Sequence, residues 1–346
     1  MGKTKIEWAT HVWNPVVGCS IVSPGCTNCY AMAQAAHIQR LTKGNTHYAG
    51  TTREVNGHTV WTGKLQQAPD HIWTMPLTWK KPRRIFVNSM GDLFHESVPD
   101  AWIDRAFVVM ALSPQHTFQI LTKRAKRMRE WVSEKWEANW GPIHDICERQ
   151  GIESPGISET WPLPNVWLGV SAEDQARADE RIPDLLSTPA AIRFVSAEPL
   201  LGPIDFKPRE YSEQCIRCGE GPDAPHNHPD GYRNRGLDWI IVGGESGPQA
   251  RPMHPGWARS IRDQCAAAGV PFFFKQWGEW SATLGHFTGN IDFDPERQEQ
   301  PLRATQSQVL LAHEIRPGRT LLERGGKKRA GRLLDGRTHD AMPEVK

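Results

Sequence analysis

Apolar runs alternate with amphipathic segments along residues 84–277. A unit begins with a short run of β-forming residues, as at 84–88 or 165–170, and continues into a segment with helical periodicity, as at 100–112. Near-continuous apolar runs are typical of strands buried on both faces, and their alternation with helices predicts a parallel sheet. Further strands are predicted at 117–121, 192–195, 237–242 and 271–274, and further helices are predicted to end near 136, 186 and 268.

The pattern places this chain in the α/β class. With a strand predicted just before Cys19, the sequence holds about seven βα units. A partial, open parallel barrel fits this number best, and a doubly wound open sheet is the alternative. In both folds the chemistry gathers at the carboxyl ends of the strands. Nearly every predicted strand here ends in polar or charged residues, which indicates a site at that end.

Three segments fall outside the repeat. Residues 1–280 are predicted to form the barrel, with an insertion at 40–80 that contains a hairpin near 54–60. A second insert, at 207–236, is rich in Pro, Gly, His and Cys. The extension at 281–346 carries a basic stretch that either contacts phosphates or folds back to pack on or near the barrel.

Composition narrows the class of protein. An apolar content of 38% and a charged content of 23% suit a soluble globular protein with a core. No run of about 18 apolar residues occurs, so we expect no membrane partner. The first residues lack the apolar core of a secretory signal, and seven clustered cysteines favour a reducing cytoplasm. A net charge of +2 does not by itself indicate a nucleic-acid partner.

Three cysteines lie on one Gly/Pro-bearing loop. Cys19, Cys26 and Cys29 have the spacing C-x6-C-x2-C, between an apolar run and a helical segment. Thiolates are the usual ligands of iron–sulfur clusters, and three of them leave one iron of a [4Fe–4S] cluster open. S-adenosylmethionine (SAM) can chelate an open iron through its amino and carboxylate groups. Zinc is the alternative, but a zinc site normally closes with four ligands, and His11 and His37 lie outside the loop.

Polar residues at the strand ends are candidates for cofactor contacts. Glycine lets the backbone approach a ligand closely, and a carboxylate can accept from an ammonium or a ribose hydroxyl. The alternative for each polar side chain is a cap on the following helix. The candidates are Ser89, Asp92, Ser171, Glu173, Gly243, Gly244 and Glu245.

A second set of strand-end residues is expected on the substrate side. Lys123, Glu198 and Lys275 are the catalytic candidates, because two ammonium groups at the mouth suit an anionic substrate. Salt bridges between these lysines and nearby glutamates are the alternative.

The second insert contains another metal-like constellation. Cys215 and Cys218 form a C-x2-C pair, followed by His226 and His228. These four residues could close a tetrahedral zinc site, although H-x-H is tighter than the usual spacing. A solvent-facing loop with incidental cysteines is the alternative.

Several motifs together resemble a phage and prophage family of three-cysteine, radical-SAM-like proteins. The resemblance covers nearly the whole chain apart from the 207–236 insert. The motifs are Lys5-Ile6-Glu7-Trp8, Trp13-Asn14-Pro15, the cysteine loop, and the segments at 88–94, 196–202, 243–247, 273–278 and 331–337.

This resemblance implies a partial (βα)6-type barrel of the radical SAM kind, with one [4Fe–4S] cluster on Cys19, Cys26 and Cys29. It further suggests a DNA partner: an isomerase of phage thymidine hypermodification would convert N-linked glycyl-thymidine into the C-linked form. Such an enzyme needs a reducing partner such as flavodoxin or ferredoxin, in the host cytoplasm where phage-encoded. Two alternatives stay open. One is a radical SAM enzyme acting on a small molecule or, like a photoproduct lyase, on a DNA lesion; the other is a non-catalytic zinc protein that binds nucleic acid.

Overall fold

A computed structural model describes residues 3–137, 162–206, 236–282, 290–293 and 320–344. None of the helices in these ranges is long and apolar enough to cross a bilayer. The strands are β1 (His11–Trp13), β2 (Val16–Val17), β3 (Thr52–Val55), β4 (His58–Trp61), β5 (Gln66–Gln67), β6 (Arg84–Val87), β7 (Thr117–Thr122), β8 (Val166–Ser171), β9 (Ile192–Ala197), β10 (Trp239–Gly243), β11 (Phe272–Gln276), β12 (Trp280–Ala282), β13 (Asn290–Phe293) and β14 (Thr320–Arg324). The helices are α1 (Tyr30–Leu41), α2 (Asp70–Trp73), α3 (Asp100–Ala111), α4 (Ala125–Glu137), α5 (Gln175–Leu186), α6 (Pro255–Ala268) and α7 (Lys327–Ala330).

The main sheet contains seven parallel strands in the order β1-β6-β7-β8-β9-β10-β11. Strands that follow one another along the chain in this sheet are also neighbours in space, so the order never reverses. A doubly wound sheet requires such a reversal, and this alternative is therefore wrong. The sheet is open and curls into a half-barrel, which confirms the prediction of a partial parallel barrel. It has seven parallel strands rather than the six that the resemblance implied.

Side chains on the two faces of the curled sheet enter different hydrophobic clusters. On β6, Ile85 and Val87 join the larger cluster together with Ile103 and Phe107 of α3. Phe86, between them, points the other way because successive strand residues alternate between faces. It packs against Trp8 with ring centroids 4.7 Å apart. The concave face thereby gains an aromatic floor, formed by Trp8, Phe86, Trp167, Phe194, Trp239 and Phe273.

The apolar run before Cys19 and the insertion that follows α1 form smaller sheets. The run divides into β1, which belongs to the main sheet, and β2, which pairs antiparallel with β5. The predicted hairpin near 54–60 is confirmed as the pair β3–β4. Its turn residues Asn56 and Gly57 both have positive φ, the conformation that a two-residue hairpin turn needs.

Segments near both ends of the described chain pack on the half-barrel. Lys3 forms an antiparallel bridge with His11 of β1, and Asp340 forms one with Phe273 of β11. Leu334 is fully buried. Asp335 forms salt bridges with two arginines of α6. The part of the basic stretch that the structure describes therefore folds back on the body.

Candidate functional site

A cavity of about 820 Å³ opens at the carboxyl ends of the parallel strands. All three cysteines of the loop contribute to its wall, as do residues from the ends of β6 to β11. A volume of this size suits a small-molecule ligand or cofactor. The predicted site residues that line the cavity are Cys19, Cys26, Cys29, Ser89, Asp92, Lys123, Ser171, Glu198, Gly244, Glu245 and Lys275.

The cysteine loop enters the site along the end of β6. Gly18 forms a parallel bridge with Gly91, which places Cys19 beside the segment that follows β6. Cys26 ends a short 3-10 turn, and Cys29 is the N-cap of α1. Cys19 and Cys29 are half-buried, Cys26 is buried, and none of the three forms a disulfide.

Asp92 and Arg124 hold the first part of this loop. Asp92 accepts from Arg124 Nη1 at 3.1 Å and from Thr122 Oγ1 at 2.7 Å. Arg124 Nη2 donates to Ser20 Oγ at 2.8 Å, and its Nη1 lies 3.5 Å from Cys19 Sγ. Both side chains are at least nine-tenths buried. Asp92 therefore lines the cavity, but its carboxylate is committed to positioning the arginine that contacts Cys19.

Glu173 holds the middle of the loop. Its Oε1 accepts from Gly25 N at 3.0 Å, and its Oε2 accepts from Arg181 Nη1 at 3.1 Å. Burial works against ionisation, but the Lys123 ammonium and a hydrogen bond from Ser23 lower the pKa of this carboxyl. Glu173 is fully buried and does not line the cavity, in contrast to the predicted cofactor contact. A Cβ on Gly25 would lie 2.9 Å from the Glu173 carboxyl carbon, so only glycine allows this approach.

Glu245 holds the last part of the loop. Arg251 donates to both of its oxygens, at 2.9 and 2.7 Å, and Arg251 Nη2 also reaches Pro24 O at 2.9 Å. Asn28, between the second and third cysteines, donates to Glu245 Oε2 at 3.0 Å. The carboxylate is buried and has four donors, counting the Arg251 backbone N–H. Its role in this structure is to fix the segment around Asn28.

These three carboxylates follow alternate strands of the sheet, β6, β8 and β10. Each has an arginine partner, and each pair contacts a different part of the cysteine loop. The sequence pattern predicted these carboxylates as ligand contacts, and it did not predict their pairing with arginines. A short-range signal exists for two pairs, because Arg181 and Arg251 follow their glutamates by eight and six residues. Arg124, 32 residues after Asp92, gives no such signal.

Glu198 and Lys275 lie on the cavity wall as a salt bridge, with Nζ 2.5 Å from Oε1. Glu198 follows β9 and Lys275 belongs to β11, so the pair spans the end of β10. Gly243 lies beneath the pair, where a Cβ would be 3.2 Å from the Glu198 carboxyl carbon. The structure therefore brings these predicted substrate-side residues together, and Gly243 contributes space for the Glu198 side chain.

Gly244 allows a close contact between two backbone segments. A Cβ at this position would lie 1.9 Å from the carbonyl oxygen of Trp277. Its own N–H donates to Gln276 O at 2.9 Å. This packing requires glycine whether or not a ligand approaches the residue.

The remaining predicted residues present smaller polar groups to the cavity. Ser89 Oγ donates to Asn14 Oδ1 at 3.1 Å, so its hydroxyl hydrogen is engaged. Ser171 is nearly fully buried and faces the cavity. The Lys123 backbone N–H donates to Asp92, and its side chain extends into the cavity.

A family profile described as "Protein of unknown function (DUF5131)" matches residues 3–343. The chain belongs to the DUF5131 family. The DUF5131 match covers the cysteine loop, all seven parallel strands and the tail that folds back on them. No curated protein and no solved structure matches the chain.

The three thiols of this DUF5131 protein lie on one cavity wall. Among the described residues, no three His, Cys, Asp or Glu side chains could hold a single ion together. A [4Fe–4S] cluster makes a different demand, because each thiolate binds a different iron. Burial raises the pKa of Cys19 to about 12 and also raises that of Cys29. Three free thiols on one cavity wall are ligands of the type that such a cluster binds.

The proposed zinc ligands of the second insert lie outside the described residues. Cys215, Cys218, His226 and His228 all fall within 207–235, so the zinc site stays a prediction. Cys265, in contrast, is described. It is buried in α6 within the main hydrophobic cluster, away from the cysteine loop.

Proposed function

We propose that this DUF5131 protein is a radical SAM enzyme whose [4Fe–4S] cluster is bound by Cys19, Cys26 and Cys29. The observation that carries the proposal is the position of the loop. Three free thiols face a cavity at the carboxyl end of a parallel half-barrel. Three separate arginine–carboxylate pairs hold the loop there. A loop that served only to connect β2 and α1 would not need three such supports.

A cluster of this kind, when bound, supplies one electron to the sulfonium of SAM and so yields a 5′-deoxyadenosyl radical. The protein's part is to position and shield this chemistry. Arg124 Nη1 lies 3.5 Å from Cys19 Sγ, where it donates to the thiolate form. Hydrogen bonds to ligating sulfur affect the properties of iron–sulfur clusters, so Arg124 belongs to the metal centre as a positioning residue.

The opposite wall of the cavity provides groups for the substrate. The Glu198–Lys275 pair is largely buried, yet both residues face the cavity. A paired carboxylate and ammonium can hold a proton at Lys275 Nζ or accept one at a Glu198 oxygen. We assign to this pair the handling of protons on the substrate.

For the substrate we propose modified thymidine in phage DNA, isomerised from the N-linked to the C-linked glycyl form, with flavodoxin or ferredoxin as the electron donor. This assignment is supported by the sequence resemblance described above.

The test is anaerobic reconstitution with iron and sulfide, followed by reaction with SAM and dithionite. We expect about four irons per chain, formation of 5′-deoxyadenosine, and a changed nucleoside when modified DNA is added. Cys19→Ala, Cys26→Ala and Cys29→Ala should each lose the cluster. Cys265→Ala is the matched control and should retain it. A full iron content in all three cysteine variants, or zinc without iron in the wild type, would contradict the proposal.

A further inference from the structure

The ends of β7, β8 and β9 present a row of three polar side chains to the cavity. Ser171 is aligned with Ser196 across β8 and β9, and Thr122 is aligned with Val170 across β7 and β8. Lys123 therefore follows in line with Ser171. Neighbouring strands lie about 5 Å apart, so the row Lys123–Ser171–Ser196 extends over about 10 Å.

Among the residues that the structure describes, the three side chains of the row form no hydrogen bonds. Within the described ranges, the hydroxyls of Ser171 and Ser196 form no hydrogen bond, and the Lys123 ammonium forms neither a hydrogen bond nor a salt bridge, although its charge acts on the Glu173 carboxyl. The serines are only 4% and 1% exposed, yet both line the cavity. Buried polar groups normally have partners, so these unused groups indicate a ligand.

The chemistry of the row selects an anion. Lys123 supplies one positive charge and up to three donors, and each serine hydroxyl can donate once more. A carboxylate, which carries a single charge and accepts through two oxygens, matches one ammonium flanked by hydroxyls. Phosphate carries more charge than one lysine balances. Glu198, two residues beyond Ser196 on the same strand face, has its charge paired with Lys275 and does not repel such a ligand.

The space below the row is apolar. A Cβ on Gly169 would lie 2.5 Å from the Phe194 ring, so this ring fills the position beneath Ser171. An anion held by the row therefore has hydrophobic surface on one side and the open cavity on the other. The rest of its molecule must extend toward the cavity, which the cysteine loop also lines.

We propose that Lys123, Ser171 and Ser196 bind a carboxylate of the substrate, which makes the substrate a carboxylic acid. The assignment to the substrate rests on the proposed function. In that function the carboxylate of SAM would be a ligand of the cluster, so the row would be left for a carboxylate of the substrate.

Acetate is the probe for the site, and the full-length protein without a cluster is the first sample. Lysines are labelled by ¹³C reductive methylation, and the Lys123 signal is assigned by its loss in Lys123→Gln. We expect a saturable shift of this signal with acetate, against chloride at equal ionic strength. In Ser171→Ala/Ser196→Ala the apparent Kd should rise about tenfold or more, since two hydrogen bonds to a charged group are lost. Lys126→Gln alters an exposed lysine of α4 and should leave acetate binding unchanged.

Two results would overturn the proposal. The first is the absence of a saturable shift, or an equal Kd in the serine double variant once its cooperative unfolding has shown that it folds. The second comes from competition: displacement of acetate by SAM, but not by decarboxylated SAM, would assign the row to the cofactor. Continued acetate binding to the reconstituted protein in the presence of SAM supports the substrate assignment. If the protein binds acetate as expected but assembles no iron cluster on reconstitution, the result would count against the proposed function and leave the acetate site standing.

Discussion

The two sides of the cavity use polar strand ends in opposite ways. On the side of the cysteine loop, Asp92, Glu173 and Glu245 are each bound to an arginine and to the loop. At the ends of β7, β8 and β9, in contrast, the side chains of Lys123, Ser171 and Ser196 form no hydrogen bonds or salt bridges among the described residues. A charged residue after a strand therefore serves either to support the site or to meet a ligand. Its partners decide between the two roles.

The largest expected effect is on the support side, at the most deeply buried pair. Glu173→Ala removes the partner of Arg181, which is itself only 2% exposed. Leaving a buried charge unpaired costs about 3–5 kcal/mol, so the free energy of unfolding should fall by that amount. Urea denaturation measures it.

Two further variants check this explanation. Glu173→Ala/Arg181→Met removes both charges and should recover part of the loss, because an apolar replacement of the whole pair leaves no isolated charge. Asp70→Ala breaks the exposed Arg105–Asp70 pair and should cost about 1 kcal/mol or less. If Glu173→Ala costs no more than Asp70→Ala, the pair does not support the loop.

A smaller effect is expected at the contact between Glu173 and the loop. Gly25→Ala would place a methyl group 2.9 Å from the Glu173 carboxyl carbon. Overpacking of this kind costs about 1–3 kcal/mol, and the displaced loop should also bind less iron on reconstitution. Gly202→Ala is the matched control, since its nearest heavy atom, Asp174 Cβ, would be 3.8 Å away. Equal iron contents in the two variants would refute the role of Gly25.

On the substrate side, we expect substitutions to reduce activity more than stability. Glu198→Gln and Lys275→Met break a pair that faces the cavity, where water can solvate the remaining partner. We expect a smaller stability loss than for Glu173→Ala, because these side chains are less completely buried than Glu173 and Arg181. Substrate turnover should fall by about 100-fold or more if the pair moves protons, while the cluster is retained. Normal turnover in both variants would remove the pair from the proposed chemistry.

The smallest effect concerns the tail. Hydrogen bonds from Arg259 and Arg262 lower the pKa of Asp335 below its usual 3.8. A group with a lowered folded-state pKa stabilises the protein above its unfolded pKa and loses this contribution as pH falls through the folded value. Asp335→Asn should therefore be slightly less stable at neutral pH and converge with the wild type in acid. A stability difference that does not change with pH would show that the charge of Asp335 is unimportant.

Much of the fold could be predicted because the parallel strands are apolar on both faces. β7 is one residue longer than the strand predicted at 117–121, and α3 is one residue shorter than the helix predicted at 100–112. The location of the site followed from the same pattern, since polar residues after parallel strands must share one edge of the sheet. The run before Cys19 was the exception, because its division between two sheets depends on β5, which has no apolar signal of its own.

The roles of the site residues were harder to predict from the sequence. Asn28 and Glu245 are 217 residues apart, and nothing in either segment predicts their hydrogen bond. Glu173 was expected to meet the cofactor because it follows a strand as the others do. Its buried carboxylate is paired with Arg181, which is eight residues further along the chain. A helix N-cap reaches only two or three residues ahead, so capping rules do not predict this pair. Hydrogen-bond partners between distant segments are fixed only when the sheet is assembled.

The bridges of Lys3 with β1 and of Asp340 with β11 bear on how the protein behaves when it is shortened. An open sheet has two outer strands whose unused backbone groups can recruit strands from other molecules. Here each outer strand already has a short stretch of its own chain beside it. Trimming either stretch would expose the unpaired backbone groups of β1 or β11, so truncated forms should self-associate.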